Sequence, residues 1–168
     1  MKKIFVVFLS FCLLSFSLLS CKKASEKFAI IGDSVNYGNF TITLKDIEQS
    51  KGTTYSSPET GNIYVLFKLE VQNNSTEDEY FSSLYFEAYA DDCSIESISL
   101  VGLAKDGAKS VSGTIAAGKK QIGYVAFEVD KDWEKIELHY QETLKLNKYQ
   151  QKILNKEKVI FEVTNPKK

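Results

Sequence analysis

The sequence predicts an all-β domain, an antiparallel β-sandwich of seven to nine strands. Three observations predict it. Apolar and polar residues alternate with a period of two in several segments, the pattern of half-buried strands. Polar turn clusters separate these segments at regular spacing. The chain holds 11 Phe and nine Tyr but only two Pro, and aromatic side chains suit a pleated surface. The alternation also argues against a parallel sheet, whose strands are continuous apolar runs.

Taken in order, Phe28-Ala29-Ile30-Ile31 opens the domain as a short edge strand that Gly32-Asp33 ends. Tyr37-Gly38-Asn39 is a turn, after which Phe40, Ile42 and Leu44 alternate with Thr41, Thr43 and Lys45, and Ile47 extends the pattern. Residues 49–61, rich in Ser, Thr, Gly and Lys and containing Pro58, read as a long mobile loop. The strongest strand follows at 62–72. It sets Ile63, Val65, Phe67, Leu69 and Val71 on one face and Tyr64, Leu66, Lys68, Glu70 and Gln72 on the other, which marks a central core strand. Residues 73–79 form an acidic turn.

Leu84, Phe86 and Ala88 alternate with Tyr85, Glu87 and Tyr89, and Asp91-Asp92 makes the next turn. Residues 93–100 are a short strand or irregular, 102–107 a loop, 110–115 weakly strand-like and 116–120 a turn. A firm strand covers 121–129. Trp133 stands beside the turn at 130–132 and is placed to cap one end of the core, before a strand face of Ile136, Leu138 and Tyr140. Leu146, Tyr149, Ile153 and Leu154 have helical spacing, so the segment 143–156 reads either as a short amphipathic helix near 146–156 or as a polar loop insertion. Val159, Phe161 and Val163 form the last strand, ended by Asn165-Pro166.

The N-terminus carries a different signal. Lys2 and Lys3 precede residues 4–19, which are almost wholly apolar and uncharged. A basic start, a short apolar core and a small residue before the cut describe a secretory signal. The run is somewhat short for a membrane span, which needs about 20 apolar residues. Leu18-Leu19-Ser20-Cys21 closes it and resembles the lipobox of bacterial lipoproteins. That resemblance implies a diacylglyceryl group on the Cys21 thiol and cleavage before it. The competing reading is an ordinary signal peptide with a cysteine near its end. The chain then divides into a lipoprotein signal peptide (1–20), a lipidated tether (21–27) and the sandwich (28–165). Two acyl chains give stable anchoring at about 0.8 kcal/mol per buried CH2. Lys22, where an aspartate would signal retention at an inner membrane, points to the outer membrane if the envelope has two.

Removing the leader leaves about 150 residues, enough for one domain with a real core. Net charge is −1 and basic residues are scattered, which argues against nucleic acid as a partner. Of three cysteines, Cys12 leaves with the leader and Cys21 takes the lipid, so Cys93 has no partner within the chain. Burial or a quiet loop site is expected for it, and no disulfide framework is possible.

Several segments together carry a family resemblance: Gly-Asn-Phe-Thr-Ile-Thr-Leu (38–44), Gly-Asn-Ile-Tyr-Val-Leu-Phe-Lys-Leu-Glu-Val-Gln-Asn-Asn-Ser (61–75), Phe-Glu-Ala-Tyr-Ala-Asp-Asp (86–92), Ala-Ala-Gly-Lys-Lys (116–120), Gly-Tyr-Val-Ala-Phe-Glu-Val (123–129) and Val-Ile-Phe-Glu-Val (159–163). Over residues 30–163 the chain resembles an uncharacterised immunoglobulin-like domain common in lipoproteins of Gram-positive bacteria. It is similar to the mycobacterial immunoprotective extracellular antigen, a β-sandwich. The resemblance implies an immunoglobulin-like sandwich and no catalytic residues. Asp130 stands where the family has proline, and 142–156 looks like an addition.

Few residues point to chemistry. His139 is the sole histidine and is expected to face solvent between Leu138 and Tyr140. A nucleophilic pair would need Cys93 beside it and an orienting group. One histidine and one free cysteine do not make a typical zinc site. Asp91-Asp92 near Glu77-Asp78-Glu79 would offer calcium its carboxylates, but no spaced calcium loop is present, and solvated turns are the simpler reading. Gly118-Lys119 lacks the rest of a phosphate-binding loop. Tyr64, Tyr85 and Tyr89 either form an outward ligand-binding cluster or are covered by other elements.

The expected function is a non-enzymatic, lipid-anchored module at the extracytoplasmic face of the cell membrane. It needs no cofactor or metal and binds an unknown protein or glycan. The alternative is an inhibitor of an envelope or secreted protease that acts through the loop 49–61, and a third reading is a subunit of a lipoprotein assembly.

Overall fold

The computed structural model describes residues 25–95, 97–98, 100–147 and 150–167. The leader, the lipobox and Cys21 lie outside these residues. Chain order gives β1 (Ser25–Ala29), β2 (Ser34–Tyr37), β3 (Phe40–Ser50), β4 (Asn62–Asn73), β5 (Glu79–Phe81), β6 (Phe86–Ala90), β7 (Cys93–Ile95) and β8 (Ser97–Ile98). A single turn of helix, α1 (Val101–Ala104), is followed by β9 (Gly113–Ile115), β10 (Lys120–Asp130), β11 (Lys135–Tyr140), β12 (Thr143–Asn147), β13 (Gln150–Ile153) and β14 (Glu157–Thr164).

Two five-stranded sheets form the sandwich, ordered β1-β14-β11-β6-β7 and β2-β3-β4-β10-β8. Among the described residues these two sheets already hold ten strands, above the seven to nine that the period-two segments predict, and two small ribbons, β12-β13 and β5-β9, add four more. Pairing is antiparallel except for β1, which runs parallel to β14 with Ser25 opposite Glu157.

The alternation along β4 explains its central place. Ile63, Val65, Phe67, Leu69 and Val71 are all buried and face Ile136, Leu138, Phe161 and Val163 of the opposite sheet within one core. Rings close the interior: Phe81 stacks on Tyr140 at 4.8 Å and meets Phe40 edge-on at 5.3 Å. Such pairs add stabilisation beyond their buried area. Trp133 closes one end, as its position beside a turn predicts, and is 1% exposed. Asn165 holds it there by donating from Nδ2 to the Trp133 carbonyl at 2.8 Å.

Four expectations are corrected. The described residues of 143–156 form no helix; they form the hairpin β12-β13, with Thr143 opposite Ile153 and a bulge between Lys145 and Asn147. A helix of that length without a packed face is marginal, whereas Thr-Leu-Lys-Leu-Asn at 143–147 already alternates with period two. The helical turn lies instead at α1, which overlaps the start of the expected loop 102–107. It covers the outer face of β4, where Tyr64 and Leu66 are buried with Val101, Ala104 and Ala126 in a second small core. The first strand begins at Ser25, so the last three residues of the expected tether belong to the sheet. Finally, β3 continues to Ser50, and the loop that follows is tied down. Thr53 N donates to Ser56 O at 2.7 Å, Glu59 N to Glu128 Oε1 at 2.7 Å, and Ser56 Oγ meets Tyr64 Oη at 3.2 Å.

Candidate functional site

The outer face of the first sheet holds the most distinctive polar cluster. On β11, Ile136, Leu138 and Tyr140 point inward, which leaves Glu137 and His139 on the outer face. Sheet register then sets Glu87 of β6 and Ile160 of β14 on either side of His139. Tyr89, one pleat along β6, packs its ring 4.7 Å from the imidazole. The expectation that His139 faces solvent is therefore wrong: it is 9% exposed. Neighbours from β6 and β14 cover it, and the hairpin supplies Thr143 and Ile153 to the adjoining cleft.

His139 Nε2 lies 2.9 Å from Glu137 Oε2. Lys135 Nζ holds the other Glu137 oxygen at 2.9 Å. The Lys135 hydrogen bond, then that of His139, keeps the Glu137 carboxyl below its ordinary range. Burial pushes the imidazole pKa down, against the opposing pull of Glu137, and the Lys158 charge adds to the drop. The ring is thus neutral at neutral pH. Nε2–H donates to the carboxylate, and this tautomer leaves Nδ1 as a bare acceptor. Nδ1 is buried without a hydrogen-bond partner. Beside the ring opens a cleft of about 130 Å3 lined by Tyr85, Glu87, His139, Gln141, Thr143, Ile153 and Lys158.

A second, wider recess of about 230 Å3 lies at the end of the sandwich, lined by Tyr37, Gly38, Asn39, Phe40, Glu79, Glu142 and Asn155. Tyr37 Oη accepts from Glu142 N at 2.8 Å, and Asn39 Nδ2 donates to Glu79 Oε1 at 2.8 Å. Burial first and the Glu79 charge second raise the Glu142 carboxyl pKa.

The other sequence candidates do not assemble. Cys93 is exposed on β7 opposite Ala90. It lies two strands over and three residues along from His139, roughly 14 Å by sheet spacing, so no Cys–His pair forms. Cys93 is therefore neither buried nor in a quiet loop, the two positions expected for it, but exposed on a strand at the sheet edge. Asp91 caps a turn: its carboxylate accepts from Lys135 N at 2.9 Å, beside the start of β11. Asp78 accepts from Ala117 N at 3.1 Å, and Glu79 lines the recess with Glu142, just past the other end of β11. The two acidic turns therefore sit at opposite ends of the sandwich. Among the described residues no three His, Cys, Asp or Glu side chains converge as a metal site would require. Gly118-Lys119 is a turn, closed by Lys119 N to Ala116 O at 2.9 Å. Tyr64 lies on β4 of one sheet, Tyr89 on β6 of the other and Tyr85 in the short turn just before β6, so the three tyrosines form no common cluster.

Sequence reasoning passed over Gln141, Glu87 and Lys158. The signal for Glu137 was present in Glu137-Leu138-His139, which sets two polar groups on one strand face.

Residues 29–153 match a domain family of unknown function, DUF4352. The chain belongs to that family. No curated protein matches it. Among solved structures it is similar to ycdA of Bacillus subtilis, provisionally described as a lipoprotein, at 20% identity and a TM-score of 0.61 over 80% of this chain. It spans only 39% of that protein's length. An uncharacterised β-sandwich protein of Clostridium difficile matches at 15% identity and a TM-score of 0.53, over 85% of this chain and 97% of that one. The yjhA protein of B. subtilis matches at 16% identity and a TM-score of 0.52, over 67% and 79%. At such identities these likenesses establish the β-sandwich fold alone.

Proposed function

We propose that this DUF4352 chain is a non-catalytic, immunoglobulin-like binding module displayed on the extracytoplasmic face of a membrane by lipid on Cys21. Its ligand seat is the His139 cleft. One observation carries the binding reading: a buried imidazole nitrogen without a hydrogen-bond partner beside a lined cleft. Leaving a buried acceptor unsatisfied costs about 1–3 kcal/mol, and a ligand hydroxyl or N–H that reaches it recovers that cost. Glu87 and Gln141 offer further hydrogen bonds and the Tyr85 ring an apolar surface, a set that fits a glycan or a peptide segment of the cell surface. The lipobox supports the location, and the lipoprotein description of the B. subtilis relative agrees with it.

The test is an NMR titration of the His139 ring nitrogens with peptidoglycan fragments and teichoic-acid oligomers. Binding shifts Nδ1 by several ppm and leaves Nε2 nearly in place. An unchanged ring in the presence of every fragment rejects the cleft as the seat.

A second reading has its own observation. Tyr55 is 88% exposed at the tip of the braced loop after β3, a shape suited to entering a protease cleft. Inhibition of secreted proteases that disappears in Tyr55→Ala would favour the inhibitor.

A further inference from the structure

The first strand carries an apolar surface that the fold leaves uncovered. Phe28 is 67% exposed, Ile30 61% and Ile31 42%, three large apolar side chains within four positions. β1 is an edge strand paired only with β14, and Ala29 alone of this group turns inward. Ile31 and Gly32 occupy the corner of a tight turn closed by Asp33 N to Ile30 O at 3.1 Å, with Gly32 at φ 95°. Such corners normally hold Pro, Asn, Asp or Gly rather than isoleucine. The turn is also held in place: Gly32 N donates to Leu44 O at 2.8 Å and Ile30 N to Asp33 Oδ2 at 3.1 Å. The apolar corner is therefore a fixed surface. An exposed apolar patch on an unpaired edge marks an interaction site.

Its place in the chain selects the occupant. Only Lys22, Lys23 and Ala24 separate Cys21 from the start of β1. At full extension that link spans roughly 14 Å, and the strand carries Phe28 about 10 Å further. A lipid on Cys21 thus confines this edge beside the bilayer, at an effective concentration on the order of mM. Under such confinement even a weak apolar contact is occupied. Lys22 and Lys23 add positive charge next to lipid phosphates.

We propose that β1 and the turn after it lie on the lipid surface, with Phe28, Ile30 and Ile31 in the headgroup layer. The sandwich then rests on its β1 edge, and β7 and β8 form the edge furthest from the membrane. This rests on the anchor at Cys21, and the experiment separates the two. The full mature chain is made as Cys93→Ser with Ile30→Cys, labelled with an environment-sensitive thiol dye and placed in phosphatidylglycerol–phosphatidylethanolamine vesicles. A control carries the dye at Leu100→Cys, beyond β8 and 62% exposed. The proposal predicts one dye per chain, a blue-shifted Ile30 probe, and at least threefold stronger quenching by spin-labelled lipid there than at position 100. One dye with equal, water-like emission at both positions overturns the docking while leaving the anchor intact. Two dyes per chain mean a free Cys21 thiol and overturn both. A blue shift that grows with protein density and ignores spin-labelled lipid means that a second copy covers the edge, which also overturns the proposal.

Discussion

Burial strips water from the His139 imidazole and pushes its pKa below the ordinary 6.5, although Glu137 pulls the other way. Between the lowered folded value and 6.5, the unfolded chain binds a proton that the folded chain refuses. The contribution of this site is therefore complete above the ordinary value and is lost as pH falls through the folded one. Glu137 acts in a lower window: its depressed carboxyl contributes above 4.5 and loses that contribution below it. The groups facing the ring are Glu137, Glu87, Lys158 and Tyr89. His139→Gln is expected to flatten the loss of unfolding free energy between about pH 7 and 5, measured by urea titration at each pH. A variant as acid-sensitive in that window as the parent would show that another group is responsible. The burial of His139 was not legible in the sequence. Period two assigned His139 to an outer face correctly, but whether that face meets water depends on what packs over it.

At the scale of elements, the same lesson separates what the chain pattern carries from what it hides. Strands with a clean inner face, such as Ile63 to Val71 on β4, were readable because burial on one side imposes the alternation. The outer faces were not. Tyr64 and Leu66 are covered by α1, nearly forty residues downstream, and the cleft by a hairpin whose Leu146, Tyr149, Ile153 and Leu154 happen to fall at helical spacing. Replacing 143–153 with a short Gly-Ser link, which removes the lining residues Thr143 and Ile153, is expected to open the cleft and return the His139 pKa toward its ordinary value, read by NMR titration. An unchanged value would mean that β6 and β14 alone bury the ring. Close backbone approach is a second hidden feature. A Cβ on Gly123 of β10 would lie 2.7 Å from both Cα and N of Val111. Gly123→Ala must push these backbones apart, and we expect a loss of about 1–3 kcal/mol in urea unfolding.

For the whole molecule, the sandwich supplies a rigid body with its chemistry on one outer face and its apolar edge at the N-terminus. The β-sandwich itself was legible from strand spacing and turn clusters, and the likeness to the C. difficile β-sandwich protein agrees with it. The proposed location rests on Leu18-Leu19-Ser20-Cys21, outside the described residues. The proposed anchoring therefore depends on the N-terminal residue of the mature chain. Mass spectrometry of the N-terminal peptide from membrane-derived protein tests this directly. The expected peptide begins at Cys21 and carries a thioether-linked diacylglyceryl group. A peptide that begins at another residue, with a free Cys21 thiol or without that cysteine, would contradict the anchoring.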